Sequence, residues 1–91
     1  MKLSDAEARE KIRSLNGWSL VDGSVVKRFK FDEYMEGINF VLLVAGISEE
    51  ADHHPEMVVG YKTVEVRLRT LSENGVTEKD FALAGKIDKM G

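Results

Sequence analysis

Both histidines of the chain and its single proline lie together in the segment Ala51-Asp52-His53-His54-Pro55, directly after Glu49 and Glu50. Histidine has an unperturbed pKa of about 6.5, so it can donate or accept a proton near neutral pH. The chain has no cysteine, which excludes thiolate nucleophiles, thiolate metal sites and disulfides. If the protein transfers protons near neutral pH, we expect it to do so at this segment.

Carboxylates accompany both histidines. On a helix, Glu49 lies four residues before His53 and Glu50 four before His54, so each imidazole can face a carboxylate. A carboxylate partner fixes the imidazole tautomer and favours the protonated ring, which suits a general acid. The carbonyl groups at a helix C-terminus act in the same direction.

Other interpretations of this segment compete with acid–base chemistry. An exposed pair of histidines at a helix end is often only a solvated cap. A metal site formed by Glu49, His53 and His54 is disfavoured, because adjacent histidines rarely point at one ion and no third strong ligand has suitable spacing. Ser48 and Ser72 lie in no nucleophile-elbow context, and no glycine-rich phosphate loop is present.

Length and composition indicate one small domain over residues 1–91, with 43% apolar residues. A monomer of this size buries its surface inefficiently, so we expect a homo-oligomer. The net charge of −3, from 13 basic and 16 acidic residues, disfavours nucleic-acid binding. No membrane association is expected, since the longest apolar stretch, Phe40 to Ile47, is too short to span a bilayer. The N-terminus lacks the apolar run of a signal peptide, so a cytoplasmic location is expected.

The first third of the chain predicts a helix followed by a β-hairpin. Ser4 and Glu7 form a capping-box pattern that starts a helix, which we expect to end at Asn16-Gly17. Runs of β-branched and aromatic residues then flank Asp22-Gly23, a pair typical of a hairpin turn.

A second, longer helix is predicted to lead into the histidines. Asp32 can cap it, and its end is expected near Asp52, because Pro55 disfavours helical geometry at His54. Apolar residues recur at helical spacing and predict a wide face packed on the sheet. They are Tyr34, Met35, Ile38, Val41, Leu42, Leu43 and Ala45.

The remaining third predicts two strands and a last helix. A strand over Met57–Tyr61 precedes a strictly alternating one over Thr63–Thr70, with Val64, Val66 and Leu68 directed inward. Asn74-Gly75 supplies a turn, and Thr77 caps a helix with Asp80 three residues on. The predicted fold is α+β, in the order α-β-β-α-β-β-α, with three helices packed on one face of a four-stranded antiparallel sheet.

The same residues resemble a known family. Asp52-His53-His54-Pro55-Glu56, followed by Tyr61, Thr70 and Asp80 at this spacing, is similar to the signature of the pterin-4a-carbinolamine dehydratases. The resemblance extends over nearly the whole chain, from Asn16-Gly17-Trp18 to the Thr77-Glu78-Lys79-Asp80 start of the last helix.

The resemblance implies an activity and a set of site residues. The reaction would be loss of water from a 4a-hydroxytetrahydropterin to give quinonoid dihydropterin, without a metal or cofactor, in a homodimer or homotetramer. The catalytic residues implied are His53 as general acid, His54, which also binds the pterin, and Glu49. Glu49 and Asp52 would hold the histidines and the polar edge of the ring. Asp52, His53 and Pro55 would contact the pterin, and Asp80 would support the site. The remaining pocket residues implied are Thr70, Leu71, Ser72 and Glu73.

One position departs from the family pattern. A third histidine, or a tryptophan, usually lies ten residues after the aromatic that matches Tyr61, and here that residue is Leu71. Either Leu71 only fills the pocket wall, or one face of the pterin has lost its acid. The alternatives to the dehydratase are a non-catalytic dimerisation, coactivator or assembly-chaperone module of the same fold, and a protein that binds a pterin without turnover.

Overall fold

The helices and strands follow the predicted order in the computed structural model, which describes residues 1–90. Gly91, the last residue of the predicted domain, lies outside the described residues. The elements are α1 (Asp5–Ile12), β1 (Ser19–Val21), β2 (Ser24–Lys30), α2 (Tyr34–Ala51), β3 (Glu56–Val59), β4 (Thr63–Leu68) and α3 (Glu78–Met90), with a turn of 3-10 helix at Leu71–Glu73.

The four strands form one antiparallel sheet in the order β1-β2-β4-β3. The β1–β2 hairpin turns at Asp22 and Gly23, whose φ angles of 47° and 77° match the tight turn predicted from this pair. β4 is therefore a central strand, paired with β2 on one side and β3 on the other.

The helices cover one face of the sheet, as predicted. Val64, Val66 and Leu68 of β4 are fully buried in the core, together with Val44 of α2 and Ile87 of α3. The residues between them, Glu65 and Arg67, lie on the opposite face. The strict alternation of β4 thus separates a packed face from a polar one.

α1 is shorter than predicted. It begins after Ser4, where the predicted capping box forms: the Ser4 N–H donates to Glu7 Oε1 (2.9 Å) and the Glu7 N–H to Ser4 Oγ (3.1 Å). It ends at Ile12 rather than at Asn16-Gly17. The Ser14 hydroxyl donates to the Lys11 carbonyl at 2.8 Å, and such local bonds compete with helix continuation.

α2 also begins one residue later than predicted, after Glu33 rather than Asp32; the Glu33 N–H donates to Glu36 Oε1 at 2.9 Å. The face that packs on the sheet differs more. Gly37, Val44 and Ser48 are buried, whereas four residues of the predicted inward face, Tyr34, Met35, Leu42 and Leu43, are exposed. Both sides of α2 carry apolar residues, so helical spacing alone did not identify the buried side.

The strands β3 and β4 end earlier than predicted, at Val59 and Leu68. In residues 1–90, no helix, α2 included, combines the length and apolarity needed to cross a bilayer.

Candidate active site

The end of α2 directs both histidines away from the helix. Asp52 adopts a left-handed conformation (φ 51°) as the C-terminal cap, and the His53 N–H donates to the Ser48 carbonyl at 3.0 Å. The chain then continues through Pro55 into β3. As predicted, His53 and His54 lie at the helix C-terminus and outside its last turn.

His53 is paired with Asp80, which lies 27 residues further along the chain on the first turn of α3. His53 Nε2 is 2.5 Å from Asp80 Oδ1. The aspartate side chain is completely buried, and that of His53 is 11% exposed. A buried carboxylate is costly unless it is hydrogen-bonded and paired with a charge, so this ion pair depends on the groups around Asp80.

Two threonines satisfy the second oxygen of Asp80. Thr70 Oγ1 and the Thr77 backbone N–H each donate to Asp80 Oδ2 at 2.9 Å. The hydroxyls of Thr70 and Thr77 are also 2.8 Å apart. The carboxylate lies in the first turn of α3, where the helix dipole favours negative charge. Asp80 is therefore held in one orientation before it contacts the histidine.

The bond to Asp80 assigns the protons of the His53 ring. In the neutral imidazole, the proton lies on Nε2, which donates to the carboxylate, and Nδ1 is an acceptor. In the imidazolium, Nδ1 becomes the donor. Within residues 1–90, the contact with Asp80 is the only hydrogen bond of the ring, so Nδ1 has no hydrogen-bond partner there.

His54 forms a second, exposed pair. Its Nε2 contacts Glu49 Oε2, and the two side chains are 56% and 76% exposed. The helical spacing predicted Glu49 opposite His53 and Glu50 opposite His54. That prediction is wrong, because α2 ends before the histidines and the turn at Asp52 places His54, not His53, over Glu49. Glu49 still contacts a histidine, as the resemblance implied.

An open depression of about 520 Å³ lies on the polar side of the sheet, next to His54. A volume of this size is within the usual range of about 300–1,000 Å³ for small-molecule sites. Its lining consists of Asp22, Ser24, His54, Pro55, Glu56, Arg67, Arg69 and Leu71. The sheet brings these together, since Glu56 pairs with Arg67 across β3 and β4.

Two arginines line this depression but were not predicted as site residues: Arg67 of β4, and Arg69, which follows the last residue of β4. Arg67 Nε donates to Glu65 Oε2 at 2.7 Å, and this bond raises the pKa of the Arg67 guanidinium above its ordinary value. Arg69 Nη2 donates to Asn74 Oδ1, while Arg69 Nε is buried without a hydrogen-bond partner in the described residues. The alternation of β4 indicated their shared face, but not that this face lines a depression.

The resemblance implied that the residues from Thr70 to Glu73 line one pocket. In the structure they divide between two depressions. Thr70 is buried against Asp80, and Leu71, 84% exposed, is the member that lines the depression beside His54. Thr70, Ser72 and Glu73 line a separate depression of about 220 Å³.

Two further expectations concern Asp52 and metal ions. Asp52 is exposed, and in the described part of the chain no hydrogen bond joins its side chain to either histidine. Among residues 1–90, no group of three His, Asp or Glu side chains is arranged to hold a metal ion.

The amino-acid sequence is similar to those of known proteins. The family model described as pterin 4 alpha carbinolamine dehydratase matches residues 1–90. A provisionally named pterin-4-alpha-carbinolamine dehydratase of Sulfolobus acidocaldarius is 43% identical over 90 residues, which are 99% of each chain. A protein of the same provisional name from Picosynechococcus is 39% identical over 89 residues, 98% of this chain and 97% of the relative.

Solved structures show the same fold. The crystal structure of a transcriptional coactivator/pterin dehydratase from Brucella melitensis superposes with a TM-score of 0.92 at 38% identity, covering 98% of this chain and 97% of the other. A pterin dehydratase-like protein described as a RuBisCO assembly factor in the alpha-carboxysome superposes with a TM-score of 0.68 at 26% identity, covering 81% and 88%. The fold is thus shared by proteins described as enzymes and by one described as an assembly factor.

Proposed function

The chain belongs to the pterin 4 alpha carbinolamine dehydratase family, and from that premise we propose that it removes water from a 4a-hydroxytetrahydropterin. In this reaction, the bond between C4a and the hydroxyl oxygen breaks and N5 loses its proton. A double bond forms between C4a and N5, so the products are quinonoid dihydropterin and water. The step needs an acid for the leaving hydroxyl and a base for the N5 proton, and neither a metal nor a cofactor.

The observation that carries the proposal is the His53–Asp80 pair. Asp80 is buried and held by two threonine donors, so it keeps the imidazole in one orientation with Nδ1 unbonded. A positioned histidine of this kind contributes roughly 10²–10⁴ to the rate of a proton transfer. We assign His53 as the general acid that protonates the leaving hydroxyl through Nδ1.

His54 has a different place in the proposal. It lines the depression directly and is paired with the exposed Glu49. We assign it to binding and orienting the pterin, with Pro55 and Leu71 as neighbouring walls. Glu49 then acts on the substrate through His54, as a positioning residue.

The test is the dehydration rate of a chemically generated 4a-hydroxytetrahydropterin, followed by ultraviolet absorbance. The wild-type protein is expected to accelerate the reaction, and His53→Ala to lower kcat by about two orders of magnitude. His54→Ala is expected to raise KM more than it lowers kcat. If His54→Ala abolished turnover while His53→Ala retained it, the two roles would be exchanged; no acceleration by folded wild-type protein would overturn the dehydratase proposal.

We also propose that the protein works as a homodimer or homotetramer. Large apolar side chains are exposed both on α2 (Tyr34, Met35, Leu42 and Leu43) and on the edge strand β3 (Val58 and Val59). Large exposed apolar patches and open strand edges are typical of association surfaces.

A second candidate function is a non-catalytic assembly module. It is favoured by the likeness to the protein described as a RuBisCO assembly factor and by Leu71, which can neither donate nor accept a proton. The same rate measurement separates the two, because an assembly module would leave the spontaneous dehydration unchanged. A protein that binds the pterin without turnover would show ligand binding and no acceleration.

A further inference from the structure

The depression beside His54 contains a cation without a carboxylate partner. Arg69 donates to the neutral amide of Asn74 and forms no ion pair within residues 1–90. Its Nε is buried and lacks an acceptor. Buried donors are rarely left without a partner, and residues 1–90 supply no acceptor for this one.

Arg67, which lines the same depression, is by contrast paired with a carboxylate. It donates to Glu65, and the negative charges of Glu65, Glu56 and Asp22 act on it. The charge of Arg67 is therefore already engaged by carboxylates of the chain. Arg69 is left as the positive charge available to a bound molecule.

We propose that Arg69 binds an anionic oxygen group on the substrate, most simply a phosphate monoester on the pterin side chain. An arginine fork matches a phosphate or carboxylate better than any other side chain, and such charge-assisted bonds are the stronger ones. The pterin ring as ligand rests on the proposed function, whereas the anionic group rests on Arg69.

One depression can hold both parts of such a substrate. His54 and Leu71 lie with Arg69 in its lining. Arg69 directly follows Leu68, the last residue of the central strand, which pairs with Val25 next to Ser24 of the β1–β2 hairpin. A ring against His54 and Leu71 would thus extend its substituent over the sheet towards Arg69.

The experiment compares two oxidised, fluorescent pterins that cannot react: one with a dihydroxypropyl side chain and one with its phosphate monoester. Each is titrated into the wild type, Arg69→Gln, Arg69→Lys and Arg13→Gln. Arg13 is an exposed residue that follows α1, so its variant controls for the loss of one positive charge. Arg69→Lys keeps the charge but not the fork, and serves if Arg69→Gln does not fold.

We expect the wild type to bind the phosphate ester about tenfold or more tightly than the neutral pterin. Arg69→Gln should lose this preference with little change in neutral-pterin affinity, Arg69→Lys should keep part of it, and Arg13→Gln should keep all of it. Equal affinity of the wild type for both pterins would overturn the inference. So would an equal loss for both pterins in Arg69→Gln, which would mean that Arg69 binds the ring.

Inorganic phosphate, used as a competitor, separates a substrate substituent from a free anion. Competition at concentrations as low as those of the ester would assign the site to free phosphate and overturn the inference. Dehydration rates of both 4a-hydroxy forms separate it from the proposed function. Turnover of both forms without preference would retain the dehydratase and reject the anionic group, whereas ester preference without turnover would do the reverse.

Discussion

His53 Nε2 lies 2.5 Å from Asp80 Oδ1, although the two residues are 27 positions apart in the chain and lie at the ends of two different helices. The contact joins the C-terminus of α2 to the N-terminus of α3. Because the aspartate is fully buried and the histidine is nearly so, the proposed acid and the packing of the two helices depend on the same carboxylate.

Asp80→Asn is expected to lower both stability and rate. The amide cannot accept from Thr70, Thr77 and His53 as the carboxylate does, so the free energy of unfolding should fall by about 1–3 kcal/mol. The rate should fall about tenfold or more in protein that is shown to be folded, because the tautomer of His53 is no longer fixed. Urea unfolding and the dehydration assay measure the two effects.

Thr70→Val is the matched control for that variant. It removes one donor to Asp80 and leaves the His53 contact in place, so a similar loss of stability with a smaller loss of rate is expected. If Thr70→Val lowered the rate as much as Asp80→Asn, the orientation of His53 would not be what Asp80 contributes.

Glu49→Gln should have a much smaller effect on stability. The Glu49–His54 pair is exposed, and exposed pairs contribute about 0–1 kcal/mol. KM should rise while kcat changes little, because Glu49 acts through the pterin-binding His54. A loss of kcat as large as that of Asp80→Asn would reverse the roles assigned to the two pairs, and steady-state kinetics on both variants decides this.

Leu71 predicts unequal rates for the two 4a-epimers of the substrate. The 4a-hydroxyl can lie on either face of the ring, and we expect no acid on the face where Leu71 stands at the position of the family histidine. Leu71→His should accelerate the slower epimer by about tenfold or more, whereas Leu71→Asn, polar but unable to titrate near neutral pH, should not. Comparable wild-type rates for both epimers, measured separately, would contradict this prediction.

Leu42→Glu is expected to dissociate the oligomer. Leu42 is 66% exposed, so the substitution should change the stability of a monomer by less than about 0.5 kcal/mol while introducing a charge into the proposed association surface. Ala82→Glu, an exposed position of α3, adds the same charge elsewhere and should leave the mass unchanged. Sedimentation equilibrium of the three proteins measures this, and an unchanged mass for Leu42→Glu would place the association surface elsewhere.

The capping box of α1 predicts a pH dependence. The Ser4 backbone N–H, and then the Ser4 side chain, hold the pKa of Glu7 below its ordinary value. A lowered folded-state pKa means that this contribution to stability is present above the ordinary glutamate pKa, about 4.3, and is lost as the pH falls through the folded value.

Two substitutions at Ser4 separate these causes. Ser4→Ala keeps the backbone N–H and should raise the pKa of Glu7 only in part. Ser4→Pro suits the φ of −71° but removes the N–H, so it should raise the pKa further. Carboxyl titration by NMR reads both values, and equal pKa values in all three proteins would exclude the capping box as the cause.

Local patterns in the sequence were sufficient to predict the elements of the fold. The Asp22-Gly23 turn, the capping residues Ser4 and Thr77, and the alternation of Val64, Val66 and Leu68 each depend on neighbours within a few residues. The end of α2 near Asp52 follows in the same way from Pro55. These features are local, so the sequence by itself determined the element order and the position of the histidines at a helix end.

Tertiary structure decided which residues meet. Both sides of α2 are apolar, so only packing on the sheet selected Gly37, Val44 and Ser48 as the buried side. The histidines contact other carboxylates than helical spacing predicted: Asp80 contacts His53, and Glu49 contacts His54. These contacts follow from the turn at Asp52 and from the packing of α3. The depression with Arg69 exists because strand register aligns distant segments, and a contact between distant segments is set by the packing of the whole chain rather than by any local spacing.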